Sequence, residues 1–188
     1  MILDIAWRGR VESGRDARDL PTMMIPLLAR RIGFDTISKL EAAASRRFAE
    51  AQMLREHGQW GGAIYLYGYV AEARIQAAYY RLIKFRPNTE ITPDRRRLVL
   101  QSARQNKLMG RAPHDIGGWA ELLIHTRKQR KIGYQRELKD EIIRHARRLY
   151  ARWCPALRYR TTVPTSDEIS VVGEASEWFE TNYLHLWS

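Results

Sequence analysis

Phe48 to Ala78 reads FAEAQMLREHGQWGGAIYLYGYVAEARIQAA, and this stretch decides the fold class. Approaching it, Ile37, Leu40, Ala44, Phe48, Ala51 and Leu54 recur at the three-and-four spacing of one helical face, while Arg46, Arg47, Glu50 and Glu56 take the other. Gly58 then ends that helix as a left-handed cap. A second helix, Trp60 to about Phe85, sets Ile64, Ala71, Ile75, Ala78 and Leu82 on one side. Its Gly61, Gly62, Ala63 and Gly68 permit unusually close approach of a neighbour. Each interior glycine costs about 1 kcal/mol, so a packing reason is expected. The expectation is a central helix with the preceding one antiparallel against its small-residue flank.

Downstream the pattern stays helical. Pro87 to Pro93 reads as a loop, after which Thr92 caps a helix with Pro93 at its first position and Leu108 near its end. A short helix from Asp115 to about Ile124 presents Trp119, Leu122 and Leu123, and another from about Gln135 to Trp153 aligns Leu138, Ile142, Leu149 and Trp153 before Pro155 stops it. Ala156 to Val163 has no helical period and reads as extended or loop. Thr165 and Glu168 make a capping box that opens a last helix faced by Ile169, Val172, Ala175, Phe179, Tyr183 and Leu186. The expectation is an all-α, up-and-down bundle of four or five main helices plus short ones over residues 35–188, with residues 1–34 as an extension or arm.

Composition bounds the function. The chain's 188 residues and 45% hydrophobic content suit one domain with a real core. No run approaches the roughly 18 apolar residues of a membrane span and the first residues lack a secretory layout, so a cytoplasmic protein without a membrane role is expected. The single cysteine, Cys154, reads as a core thiol. Lys and Arg number 32 against 21 Asp and Glu, a net charge of +11, and Arg outnumbers Lys. Such a surface suits RNA or DNA, whose bound counterions are released on neutralisation, or an acidic protein partner. Arg95, Arg96, Arg97, Arg127, Lys128, Arg130, Lys131, Arg144, Arg147 and Arg148 are the candidate contacts, with nearby aromatics to stack on unpaired bases.

A second candidate is the polar face of the central helix. Tyr65, Tyr69, Glu72, Gln76 and Tyr79 follow one another at four, three, four and three residues and share a face. A carboxylate there needs a partner or water. Either Glu72 meets the forked Arg158 with Tyr69 and Tyr159 alongside, an architectural role, or the face lines a nucleotide pocket with Arg158 on phosphate. Asp115 reads as a helix cap and His114 as packing over the helix start. His145, in a basic helix, reads as an exposed imidazole. Phosphate loops, dinucleotide fingerprints, nucleophile elbows and metal-ligand spacings are absent, so no catalytic residue, cofactor or metal is assigned.

The residues Gly58, Trp60, Ala63, Tyr65, Leu66, Gly68, Tyr69, Val70 and Glu72, then His114, Asp115 and Ile116, then Trp153, Leu157, Arg158 and Tyr159, resemble the bacterial branch of the HEPN domain family. The resemblance spans about Lys39 to Leu186. It implies a helical bundle that forms homo-oligomers, often dimers, and that occurs in toxin–antitoxin pairs, in defence systems and beside nucleotidyltransferases. Its ribonuclease members use an Arg separated from a His by four to six residues. None of His57, His114, His125, His145 or His185 has that partner, and only close pairs such as His125 with Arg127, or Arg144 with His145, remain. Gln76 and Ala73 also stand where related sequences commonly have Lys and Cys. The reading is a non-catalytic HEPN-like module binding nucleic acid, or a nucleotide-related partner such as a nucleotidyltransferase or antitoxin, through Arg-rich faces. A divergent ribonuclease toxin and a structural subunit of a complex are the alternatives.

Overall fold

A computed structural model describes residues 34–110, 114–132, 136–159 and 163–188, with Arg158 described in its backbone only. The expected arm thus lies outside the described residues except for Phe34. Among the described residues six α-helices carry the fold: α1 (Ile37–Glu56), α2 (Trp60–Leu82), α3 (Pro93–Gln105), α4 (Ile116–Gln129), α5 (Arg136–Tyr150) and α6 (Ser166–Thr181). Two 3₁₀ turns, η1 (Pro155–Tyr159) and η2 (Tyr183–Leu186), complete it. The expected all-helical bundle is the architecture observed. Among the described residues no helix is long and apolar enough to cross a membrane.

The hub is α2. It packs against α1, α4, α6 and both 3₁₀ turns, while α5 bridges α4 and α6. Residues on nearly every side of its last four turns are buried, from Tyr67 to Leu82, so it reads as hydrophobic all round where its neighbours show a stripe. Ile75, Tyr80, Trp119, Leu123, Ile142, Leu149 and Phe179 form the inner core around it. Burial of each such side chain contributes about 1.5–3 kcal/mol.

Helix starts follow their caps. Thr92 accepts from Arg95 N at 3.3 Å, Asp115 from Gly118 N at 2.8 Å, and the Thr165/Glu168 box closes in both directions. Helix ends are less ordinary. Gly58, at φ +72°, donates to Arg55 O and Gln59 to Leu54 O, a Schellman closure at the expected position. The same pair of bonds closes α2, α3 and α4, but there the left-handed residue is Lys84 (φ 68°), Lys107 (φ 57°) and Lys131 (φ 54°). The residue after each lysine, Phe85, Leu108 and Ile132, packs on the core, and that apolar anchor forces the turn. A side chain in this conformation costs about 1–2 kcal/mol relative to glycine.

Several boundaries differ from expectation. α4 runs past Ile124 to Gln129 and α5 ends at Tyr150 rather than Trp153, while Ala156 to Tyr159, expected to be extended or loop, belong to a 3₁₀ turn. Gly62 does face α1, since a Cβ there would meet Leu54 Cδ1 at 3.1 Å, but Gly68 does not. A Cβ on Gly68 would lie 2.1 Å from Trp153 Nε1, so this glycine makes room for an indole. Cys154 is exposed rather than a core thiol, because Trp153 takes the inward position.

Candidate functional site: a glutamate–histidine cluster and a basic furrow

The polar face of α2 is half-covered by aromatic rings. Trp153, carried in behind α5, lies in the notch over Gly68 and donates its indole N–H to Tyr65 O at 3.0 Å. Tyr69 meets Tyr65, Trp153 and His114 edge-on, with centroids 5.0, 5.3 and 5.8 Å apart. Beneath them Glu72 is 6% exposed. Its carboxylate accepts from Gln76 Nε2 at 2.8 Å and from His114 Nδ1 at 2.9 and 3.1 Å. Burial pushes the Glu72 carboxyl up from the usual range, and the His114 contact opposes that shift.

The expectation of a Glu72–Arg158 pair falls on a side chain outside the described residues. What the structure shows is that His114 supplies a partner. The histidine read as packing over a helix start instead reaches across to α2, while Asp115 keeps the capping role. Tyr159 is 76% exposed and so does not share the burial of this cluster, and Tyr79 packs inward on Tyr80 and Trp119. With Nδ1 on the carboxylate and its side chain 38% exposed, His114 directs its other ring nitrogen, Nε2, away from Glu72.

The candidate basic residues do not form one surface. Arg127 is buried, and its Nη1 donates to the carbonyls of His185, Leu186 and Ser188 at 3.1, 2.8 and 3.2 Å. It holds η2 in place and is no external contact. On α3, Arg95 reaches Glu90 O and lies over Phe85, Arg96 bridges to Asp35 at 2.8 Å, and Arg97 pairs with Asp94 at 2.9 Å. Arg148 pairs with Glu174 at 2.9 Å, and Arg144 with Glu141. Lys128, Arg130, Lys131 and Arg147 are exposed and in no ion pair among the described residues.

A furrow gathers a different set. Between the end of α3, the start of α4 and the face of α5 lies an open groove of about 610 Å³ with Arg104, Lys107 and Arg147 on its rim and Leu108, Met109, Ile143 and Ala146 beneath. A second groove of about 540 Å³ shares Glu121, Ile143 and Arg147 with it and adds Lys139, Asp140 and Arg144. Asp115 accepts from Gly118 N at 2.8 Å and from Gly110 N at 2.9 Å, which ties Gly110 to the start of α4. Of the candidate basic residues only Arg144 and Arg147 line this furrow. Arg104, Lys107, Lys139 and Tyr150 escaped notice because no local pattern shows that α3 ends beside α5.

Charge is also buried away from both places. Arg74 gives Nε and Nη2 to Glu180 at 2.7 and 2.5 Å and Nη2 to Ser45 at 2.6 Å, over the ring of Tyr183. Arg81 meets Glu41 at 2.6 Å beside the Tyr183 hydroxyl, itself bonded to Glu41. These ties join α1, α2 and α6, and they leave Arg74 and Arg81 to architecture.

His145 corrects another expectation: it is buried and stacks on Trp178 at 4.7 Å and 9°. Burial lowers its pKa, Arg144 and Arg148 push the same way, and Glu141 opposes them. Unfolded, the imidazole takes a proton near 6.5. Folded, it does so only at lower pH, so between the two values the unfolded state holds more protons and stability falls as pH drops. Comparing urea midpoints at about pH 7.5 and about pH 5 is expected to show a smaller acid loss in His145→Gln than in the wild type. An equal loss in both would contradict the burial of this ring.

Compared with models of known protein families, with curated proteins and with solved structures, the chain matches none.

Proposed function

We propose that the protein is a HEPN-like helical module that binds nucleic acid, and that the furrow between α3, α4 and α5 is its binding surface. The observation that carries this reading is the gathering of Arg104, Lys107, Lys139, Arg144 and Arg147 along two adjoining grooves that share Arg147, in a chain of net charge +11. Support for the HEPN resemblance is that Tyr69 and Glu72, His114, and Trp153, which lie in its separate motifs, meet in one cluster.

Lys107 adds a second line of support. It stands at a positive φ where glycine is the relaxed choice, and its side chain borders the furrow. A cation at a helix carboxyl end recovers about 0.3–1 kcal/mol from the macrodipole, which does not cover the full conformational cost. Lys107→Gly is therefore expected to leave stability unchanged or raise it by about 1 kcal/mol while weakening binding to an RNA or DNA oligonucleotide. Affinity should fall steeply as salt rises from about 0.05 to 0.2 M, and Lys107→Gly and Arg147→Ala should each flatten the log–log slope by about 1. Salt-insensitive binding, or variants that bind like the wild type, would overturn the furrow assignment.

One observation favours a second reading, a divergent ribonuclease. A buried carboxylate holding Nδ1 of a part-exposed imidazole is an arrangement that readies Nε2 as a base. The readings part on incubation of purified protein with RNA. Intact RNA supports the binding module, and cleavage abolished by His114→Ala supports the enzyme.

A further inference from the structure

We propose that the furrow holds an unpaired nucleobase, stacked on Tyr150 and flanked by phosphates on Lys107 and Arg147, so that its ligand is a single strand and not a duplex. This rests on the reading of the furrow as a nucleic-acid surface and names which form of nucleic acid fits it. Tyr150 lines the same groove as Arg147 and is 54% exposed. The two are three residues apart on α5, so ring and guanidinium share a face. An exposed tyrosine between cations is the combination on which single strands bind: phosphates meet the charges and the open π-face takes a base.

The rest of the lining agrees. A site for phosphate alone gains nothing from Leu108, Met109, Ile143 and Ala146, whereas an apolar floor suits the edge and face of a ring. The volume, about 610 Å³, falls within the range of small-ligand clefts. Two carboxylates lie in the groove. Both oxygens of Asp115 are occupied by backbone N–H groups. Glu121 is in no ion pair among the described residues, would repel a backbone phosphate, and can accept from an exocyclic amine or ring N–H of a base. In a duplex those base edges are paired and the faces stacked, so the floor and Glu121 find nothing to meet. The tie from Asp115 and the closure at Lys107 set the wall before binding, which lowers the ordering cost.

The test uses the full chain and fluorescence anisotropy at one salt concentration with three probes of equal length: a mixed-sequence single strand, its duplex, and an abasic strand with the same phosphates. The single strand is expected to bind about tenfold tighter than either of the others, the scale of one stacked base. Tyr150→Ala is expected to remove that advantage and leave abasic binding unchanged, and Tyr150→Phe to retain it. Because Tyr150 is exposed, both variants should fold, with circular dichroism as the check. Equal affinity for all three probes, unaltered by Tyr150→Ala, overturns the base pocket and leaves the polyanion reading standing. Failure to bind any probe, even at low salt, overturns both.

Discussion

Gly68→Ala is expected to lower the melting temperature by about 2–12 °C. A Cβ at this position would lie 2.1, 2.2 and 2.3 Å from Nε1, Cε2 and Cδ1 of Trp153, a rigid bicycle that cannot bend aside. Trp153 is also held by its N–H bond to Tyr65 O. Displacing it adds an overpacking cost of about 1–3 kcal/mol to a lost hydrogen bond of about 1 kcal/mol. Against these stands about 1 kcal/mol of helix propensity gained on leaving glycine. The net loss is about 1–3 kcal/mol, and each kcal/mol moves the transition by about 2–4 °C at this size. Trp153→Ala alone should cost about 3–5 kcal/mol, yet in that background Gly68→Ala should become neutral or favourable. Additive losses in the double variant would contradict the contact.

The second large effect concerns the pair that ties α2 to α6. Arg74 and Glu180 have side chains 7% and 21% exposed, and the guanidinium makes two bonds to the carboxylate and one to Ser45. Removing one partner strands a buried charge, at about 3–5 kcal/mol, while apolar replacement of both is often neutral. Glu180→Ala is expected near the lower end, about 3 kcal/mol, because Glu180 keeps some contact with water. Arg74→Met combined with Glu180→Leu should recover most of it. Since the pair is shielded, about 1 M salt should change the Glu180→Ala loss little. A loss under about 1 kcal/mol, or one erased by salt, would place the pair at the surface.

Local signals in the sequence carried well where the physics is local. The stripe from Ile37 to Leu54, the Gly58 cap, Thr92 with Pro93, Asp115 and the Thr165/Glu168 box each depend on residues within one or two turns, and each stands where expected. What stayed hidden depends on partners far along the chain. Glu72 and His114 are 42 residues apart, Arg74 and Glu180 are 106 apart, and Arg127 reaches carbonyls about 60 residues on. Helical periodicity assigns such charges to solvent, so Arg127 and His145 were placed outside when the fold encloses them.

Glycine and lysine mislead in opposite ways. Gly62 and Gly68 look alike in the sequence, yet one admits a leucine of α1 and the other an indole. Lys84, Lys107 and Lys131 carry no sign of a left-handed backbone, because the apolar residue after each sets the turn. The furrow was illegible for a related reason: Lys107 and Arg147, 40 residues apart, line one groove formed from α3, α4 and α5.

The most direct test of the nucleic-acid furrow is a map of backbone amide chemical shifts on adding a short single-stranded oligonucleotide at low salt. Shifts are expected to gather on residues 104–110, 117–121 and 139–150, and to collapse in Arg147→Ala. Shifts gathered instead around Tyr69, His114 and Trp153, or on the face made by α1 and α6, or no shifts at all, would contradict it.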